Sequence, residues 1–274
     1  MPLAASPDMM MDMLHNGTLP VVDGQRITLR SMEEALSAIA HDAAHGMPFS
    51  VFTLNLDHLV KRRRDPAFRA AYARARHVTA DGWPVAWLAG RGSGLSVDRV
   101  TGADMLRPLC EIAAVLDLPV AFVGSTPEVL MEATARLRET ASGLKVAARI
   151  SPPFGFDPDG PAAAHLIEDI RKSGARLCFL ALGAPKQELL ADRAVSAGVE
   201  CGFVCVGAAV DFVAGAQKRA PAWMRGTGLE WAWRLLTDPA RMAGRYAASA
   251  SVLARILWED LTGAGPAHTG GNRP

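Results

Sequence analysis

The chain has 274 residues, half of them hydrophobic and 21% charged, with 29 Lys plus Arg against 28 Asp plus Glu and a formal net charge of +1. That is enough apolar material for one large domain or two small ones, and the charge balance excludes bulk nucleic-acid binding, which shows as a basic excess. The first 25 residues hold Asp8, Asp12 and Asp23 but no Lys or Arg, and no run reaches the ~18 apolar residues needed to span a bilayer, so a cytosolic protein is expected.

Residues 1–25 read as a flexible lead-in. "TLRSMEEALSAIAHDAAHG" follows, a helix with Ser31 as N-cap and Glu34 three residues on, the spacing of a capping box. "PFSVFTLNLDHLV" is a strand ending near Thr53 to Asn55, which turns into the basic helical stretch "LVKRRRDPAFRAAYARA". Its Lys61–Arg64 run reads most simply as a solvated face, with phosphate binding as the alternative. "HVTADGWPVAW" is a short apolar run that meets a charge, a turn and a rigid Trp-Pro pair. Asp81-Gly82 is common turn chemistry, so Asp81 is either a solvated turn or a reactive carboxylate at the mouth of a sheet.

"PVAFVGSTPEVLMEATARLRE", "RLCFLALGAPKQELLADRAVSAG" and "ECGFVCVGAAVDFVAG" each place a strand before a glycine turn and, in the first two, a helix. Strands alternating with helices imply βαβ units, and continuous apolar strands such as "FLAL" and "FVCV" imply burial on both faces. The expected fold is α/β: a Rossmann-like, mostly parallel sheet flanked by helices over residues 26–218. Residues 219–262 read as a C-terminal helical appendage, and 263–274 as a disordered tail. Cys110, Cys178, Cys201 and Cys205 form no C-x-x-C pair and read as free buried thiols, which suits a reducing compartment.

In an open parallel sheet, ligands bind beyond the carboxyl ends of the strands, where helix N-termini converge. Thr53 with Asn55, Asp81, Gly124-Ser125-Thr126, the Gly183 to Glu188 stretch and Asp211 all fall there. The Gly124 and Gly183 loops each open a helix whose amides suit a diphosphate. Lys186 and Glu188 read equally well as an exposed first turn, and Asp211 as a satisfied turn carboxylate. Neither a dinucleotide-binding nor a P-loop fingerprint sits at a strand-to-helix turn. Asp157 and Asp159 in "GFDPDGP" are the one pair resembling a metal clamp, and their Pro/Gly loop suits a cation poorly.

At "TLN", "ADG", "RVTG", "GAPKQE" and "RAPAW…GLEWAWRL" the chain resembles the WecG/TagA/CpsF glycosyltransferases, glycosyltransferase family 26. The resemblance implies inverting, metal-independent, cofactor-free transfer of a sugar, such as N-acetylmannosamine, its uronic acid or glucose. It implies a UDP-sugar donor and a polyprenyl-diphosphate-linked acceptor at the cytoplasmic membrane face, in cell-surface polysaccharide assembly. By motif match Asp81 is the base, and Thr53 and Asn55 are active-site polar groups. Arg99 and Gln187 then lie near donor diphosphate and sugar, with Gly124, Gly183, Lys186 and Asp211 lining the same donor site. Arg219, Arg234, Arg241 and Arg245 belong to an appendage that closes the site and meets the membrane. Here "DPARMAGRYAASAS" is Ala-rich and thin in charge where the family is often denser in basic and aromatic residues. A sugar-nucleotide epimerase or dehydrogenase, and a non-enzymatic sugar-nucleotide-binding regulator, are the alternatives. No nucleic-acid partner is expected, and a homo-oligomer is possible.

Overall fold

The computed structural model describes residues 19–221, 223–224 and 230–262, without the side chains of Arg234 and Arg241. Most of the lead-in, Gly228-Leu229 of "GLEW" and the tail lie outside the described residues. The apolar runs form six parallel strands: β3 (Phe49–Leu54), β4 (His77–Ala80), β5 (Val120–Gly124), β6 (Val146–Ile150), β7 (Leu177–Ala181) and β8 (Gly202–Cys205). Their order across the sheet is β4-β3-β8-β7-β5-β6. Alternate side chains enter two separate cores, as the two-residue period of a strand requires. Phe52, Leu54, Ala121, Val123, Cys178, Leu180, Phe203 and Cys205 fill one, and Phe49, Val51, Val120, Phe122, Leu177, Phe179 and Val204 the other.

The first core is covered by α2 (Leu56–Arg64), α3 (Pro66–Arg74), α4 (Trp83–Ser93), α7 (Pro161–Ser173) and α8 (Lys186–Ser196). The second is covered by α1 (Met32–Ala44), α5 (Gly102–Val115), α6 (Pro127–Thr140) and the short α9 (Ala209–Ala214). The β3-to-β4 crossover runs over the first face and the β5-to-β6 crossover over the second. With right-handed connections, these opposite faces mean that the sheet grows in opposite directions from its middle. A cleft therefore opens above the carboxyl ends near β3, β8, β7 and β5.

Local chemistry sets the boundaries. Ser31 Oγ accepts the Glu34 N–H at 3.1 Å, and the Glu34 carboxylate reaches back to the Arg30 N–H at 2.7 Å, one residue short of the capping-box partner. One buried ionic knot ties α1 to β4: the Asp42 carboxylate accepts from His77 Nε2 at 2.7 Å and Arg76 Nε at 2.6 Å. Burial pushes the Asp42 carboxyl up, but these two partners overrule it and hold the pKa down at about 2. The four cysteines are free and buried, and burial raises the thiols of all four.

Two expectations change. The end of the assumed lead-in is a two-stranded hairpin, β1 (Val21–Val22) and β2 (Gln25–Arg26), turned by Asp23 and Gly24 at φ 50° and 73°. Positive φ at both central residues is the turn that matches strand twist. The basic run is a solvated face only at Arg64. Arg62 is buried over the Tyr72 ring, Arg63 grips the Asp23 carboxylate through two nitrogens at 2.7 and 3.0 Å, and Lys61 pairs with Asp57. Arg62 and Arg63 hold other segments in place.

After β8 no further strand occurs among the described residues; α10 (Glu230–Thr237) and α11 (Pro239–Thr262) follow. Val252 and Ile256 of α11 join the first core, and Arg245 bonds Asp57 through Nε at 3.3 Å and a terminal nitrogen at 2.7 Å.

Candidate active site

Because all six strands are parallel, their carboxyl ends share one edge of the sheet, and the loops that leave them are tied together there. Asp81 follows β4; its N–H donates to the Leu54 carbonyl of β3 at 2.7 Å, and its side chain is half-buried. Gly82, at φ 106°, lets the chain swing from Asp81 into α4 without a side-chain clash. Asn55 follows β3 and caps α2, its Oδ1 accepting the His58 N–H at 3.0 Å. Thr53 is buried below the rim, in register with Thr79 of β4. The rim therefore carries Asp81 and Asn55 side by side, with Thr53 supporting from beneath.

"RVTG" reaches this rim from the outer edge. The Val100 N–H donates to the Ala80 carbonyl at 2.8 Å, and Thr79 Oγ1 donates to the Val100 carbonyl at 2.9 Å. The loop then crosses to β8, where a side chain on Gly102 would lie 2.6 Å from the Cys205 carbonyl oxygen. Only glycine fits there, and this contact brings the N-terminus of α5 to the middle of the sheet. Asp104 in its first turn holds two guanidiniums: Arg99 at 3.1 Å and Arg219 at 2.8 Å. Thr101 Oγ1 adds a hydrogen bond to the same carboxylate at 2.8 Å. Burial raises the Asp104 carboxyl, but Arg219 and then Thr101 and Arg99 outweigh it, so it stays ionised. Arg219 also approaches the Glu230 carboxylate at 4.0 Å, so two guanidiniums and two carboxylates meet at this helix N-terminus.

The Gly124 and Gly183 loops stand on the neighbouring strands. A Cβ at Gly124, with φ 119°, would be 2.3 Å from the Ala181 carbonyl oxygen, so this glycine permits β5 and β7 to touch at their ends. Ser125 holds φ 55°, an uncommon conformation for a residue with a side chain, of the kind found at functional sites. Its Oγ donates to Asp211 at 2.7 Å, and its carbonyl accepts from Ser151 Oγ at 2.6 Å. Asp211 thus lies at this rim, bonded to a loop hydroxyl. Lys186 is half-buried at the start of α8.

Gln187 and Glu188 differ from the sequence expectation. Both are buried, which for Glu188 replaces the exposed first turn, because α8 packs across β3, β8 and β7. The Gln187 amide is engaged at both ends: Oε1 accepts the Gly207 N–H at 3.2 Å, and Nε2 donates to Glu188 at 2.8 Å. Its place is under the Gly207 loop rather than at the open rim. Burial raises the Glu188 pKa to about 7 against the pull of Gln187. Burial raises the Tyr72 hydroxyl well above its usual range, and the charges of Glu188 and Asp81 add to it. Tyr72 in turn bonds His58 Nδ1 at 2.7 Å, and burial keeps that imidazole neutral with a pKa of about 3.

Of the appendage arginines, Arg219 joins the Asp104 cluster and Arg245 holds Asp57 two residues beyond Asn55. The side chains of Arg234 and Arg241 lie outside the described residues. Trp233 Nε1 donates to the Lys218 carbonyl at 3.4 Å, whereas Trp223 and Trp231 stand half or more exposed. Asp157 accepts its own loop's Asp159 N–H at 3.0 Å, and no group of three or more His, Cys, Asp or Glu side chains gathers for a metal among the described residues. Sequence reasoning offers Asp98 or Asp104 as a partner for Arg99, but missed that Asp104 gathers Arg219 as well, and missed Ser125 as the residue that binds Asp211. The Thr101-x-x-Asp104 spacing, an N-cap pattern, was the available signal for the first.

The sequence profile of the glycosyl transferase WecG/TagA/CpsF family matches residues 21–265. That span takes in every rim residue named above, from Thr53 to Arg245. The chain belongs to the WecG/TagA/CpsF family of glycosyltransferases.

Proposed function

We propose that this protein is an inverting, metal-independent transferase that moves a sugar from UDP to a saccharide carried on a polyprenyl diphosphate. One observation carries the reading: the half-buried Asp81 shares its strand edge with a helix N-terminus whose Asp104 holds two arginines. A base and a pair of guanidiniums on one rim are what the reaction requires. The acceptor hydroxyl loses its proton to Asp81, and its oxygen forms the new bond to the anomeric carbon. The bond from that carbon to the diphosphate breaks, and the electron pair leaves with UDP. The charge of a carboxylate base also favours an oxocarbenium-like transition state. Arg99, Arg219 and the first amides of α5 meet the charge growing on the leaving diphosphate, and guanidinium planarity suits phosphate oxygens. Gly124, Gly183, Lys186 and Asp211 line the donor side, Gln187 shapes it through Gly207, and Asn55 and Thr53 hold the rim beside the base.

Family membership favours a transferase over the dehydrogenase and regulator alternatives, and a place in cell-surface polysaccharide assembly. No helix among the described residues is long and apolar enough to cross a membrane. Exposed Trp231, Leu236, Trp258 and Leu261 on α10 and α11 support attachment at the membrane surface, where a lipid-borne acceptor resides. A panel of UDP-sugars, assayed for UDP release with a short-chain prenyl-diphosphate saccharide, tests the reading. Asp81→Asn is expected to fold normally and to lower turnover at least ~100-fold; near-normal turnover removes Asp81 as the base.

A further inference from the structure

The helix that starts beside Asp81 carries a feature the transfer reaction has not used. On α4, Val85, Ala86, Leu88 and Ala89 are buried, while the opposite face shows Trp83 at 52% and Trp87 at 50% exposure, one turn apart. Single exposed apolar residues need no explanation. Two indoles stacked along one helix, lining a groove of about 510 Å³, do. Arg91 continues the line one turn on, its guanidinium 5.3 Å from the centre of the Trp87 ring. No carboxylate pairs with Arg91 among the described residues, so its charge is held by an aromatic face alone.

Both walls of this groove lead to the rim. One is α4, which begins two residues after Asp81. The other is the Gly94 to Val97 segment, which ends two residues before Arg99. The donor-side loops, at Gly124, Gly183 and Asp211, stand on β5, β7 and β8, inward from the edge strand β4. The outer edge of β4 is covered by Thr28-Leu29 and Val100, so a second substrate delivering its hydroxyl to Asp81 comes over the start of α4, and the groove lies along that helix.

We propose that this groove is the acceptor subsite, with Trp83 and Trp87 stacking the sugar rings of a diphosphate-bearing saccharide and Arg91 pairing with its diphosphate. The proposal rests on the transferase reading above. Aromatic faces suit the apolar C–H faces of pyranoses, and guanidinium suits phosphate. The spacing agrees: eight residues of helix separate Trp83 from Arg91, about 12 Å, so a short saccharide fits between the reacting hydroxyl and the diphosphate.

The test is a titration of the full chain, followed by tryptophan fluorescence, with farnesyl-diphosphate-linked N-acetylglucosamine and, as control, a farnesyl glycoside lacking the diphosphate. UDP binding is measured in parallel by calorimetry. Trp83→Ala combined with Trp87→Ala is expected to weaken the diphosphate probe at least about tenfold, with UDP affinity within about twofold of wild type. Arg91→Gln is expected to weaken only the diphosphate probe. Trp83→Phe and Trp87→Phe, which keep a stacking face, are expected to retain most of the affinity. Unchanged probe binding in the double variant, with UDP binding intact, overturns the proposal. So does a double variant that binds the probe normally yet loses flotation with acceptor-free anionic vesicles, which makes the indoles a membrane contact. A wild type that binds neither UDP nor the probe removes the transferase reading and this one with it.

Discussion

Glu188 is the most informative group for testing how the base of the site is built. Its side chain is fully buried, Oε1 accepts from Gln187 at 2.8 Å, and Oε2 has no hydrogen-bond partner. Burial raises its pKa from an ordinary 4.5 to about 7. Between those values the folded chain keeps a proton that the unfolded chain releases, so this group alone makes stability fall as pH rises from 4.5 to 7. At 1.36 kcal/mol per pH unit the fall totals roughly 3 kcal/mol. His58 works in the opposite direction: its pKa drops from 6.5 to about 3, the unfolded chain binds the extra proton, and stability rises with pH through that window. From pH 4.5 to 6.5 the two slopes offset each other in the wild type. Glu188→Gln keeps the acceptor for Gln187 and removes one slope, so the rise from His58 emerges. Urea unfolding followed by circular dichroism at pH 4.5, 5.5, 6.5 and 7.5 measures this. The variant is expected to gain about 3 kcal/mol on the wild type between the extremes. An offset that stays constant over the four pH values refutes the account of Glu188 as a buried, proton-holding carboxyl.

The two rim glycines are expected to differ. Gly124→Ala pushes a Cβ against the Ala181 carbonyl at φ 119°, and should lose about 3 kcal/mol by thermal or urea unfolding. Gly183→Ala, at φ 72° with open space, should lose about 1 kcal/mol, and equal losses would refute the contact argument. Arg245→Ala breaks a pair whose arginine is 45% exposed and whose Asp57 keeps Lys61, so it should change stability by no more than about 1 kcal/mol in the same melts. Trp258→Ser with Leu261→Ser is expected to reduce flotation with anionic vesicles while leaving the melt unchanged, and unaltered flotation removes the end of α11 from membrane attachment.

The strands were legible because a sheet buried on both faces needs unbroken apolar runs, and "SVFTL", "VAFVG", "LCFLA" and "GFVC" are such runs. The rim followed from the same logic, since polar residues at the ends of parallel strands must share one edge. What stayed hidden depends on partners distant in sequence. "KRRR" looks solvated until Asp23, Tyr72 and Glu259 arrive from three other segments. The hairpin at 21–26 has only two residues per strand, too few for a period to show. Burial of Glu188 leaves no local mark either, because a charged residue in the first turn of a helix is ordinary dipole chemistry on the surface.

The C-terminal helix shows how shape and chemistry are joined in this chain. Val252 and Ile256 pack into the core on the same face of the sheet as α2, so α11 is held by apolar contacts well away from the rim. Arg245, two turns nearer the helix start, then falls beside Asp57 in the first turn of α2, directly after Asn55. At that end α2 already carries its own cation, Lys61, on the same carboxylate. Two cations on Asp57 repeat the arrangement at Asp104, where Arg99 comes from the body and Arg219 from the chain leading into the helices. In both places one carboxylate binds a basic group from the α/β sheet region and another from beyond β8. The negative charge fixes where the two segments meet. The C-terminal segment is therefore held to the body by ion pairs near the strand ends and by apolar contact farther along α11.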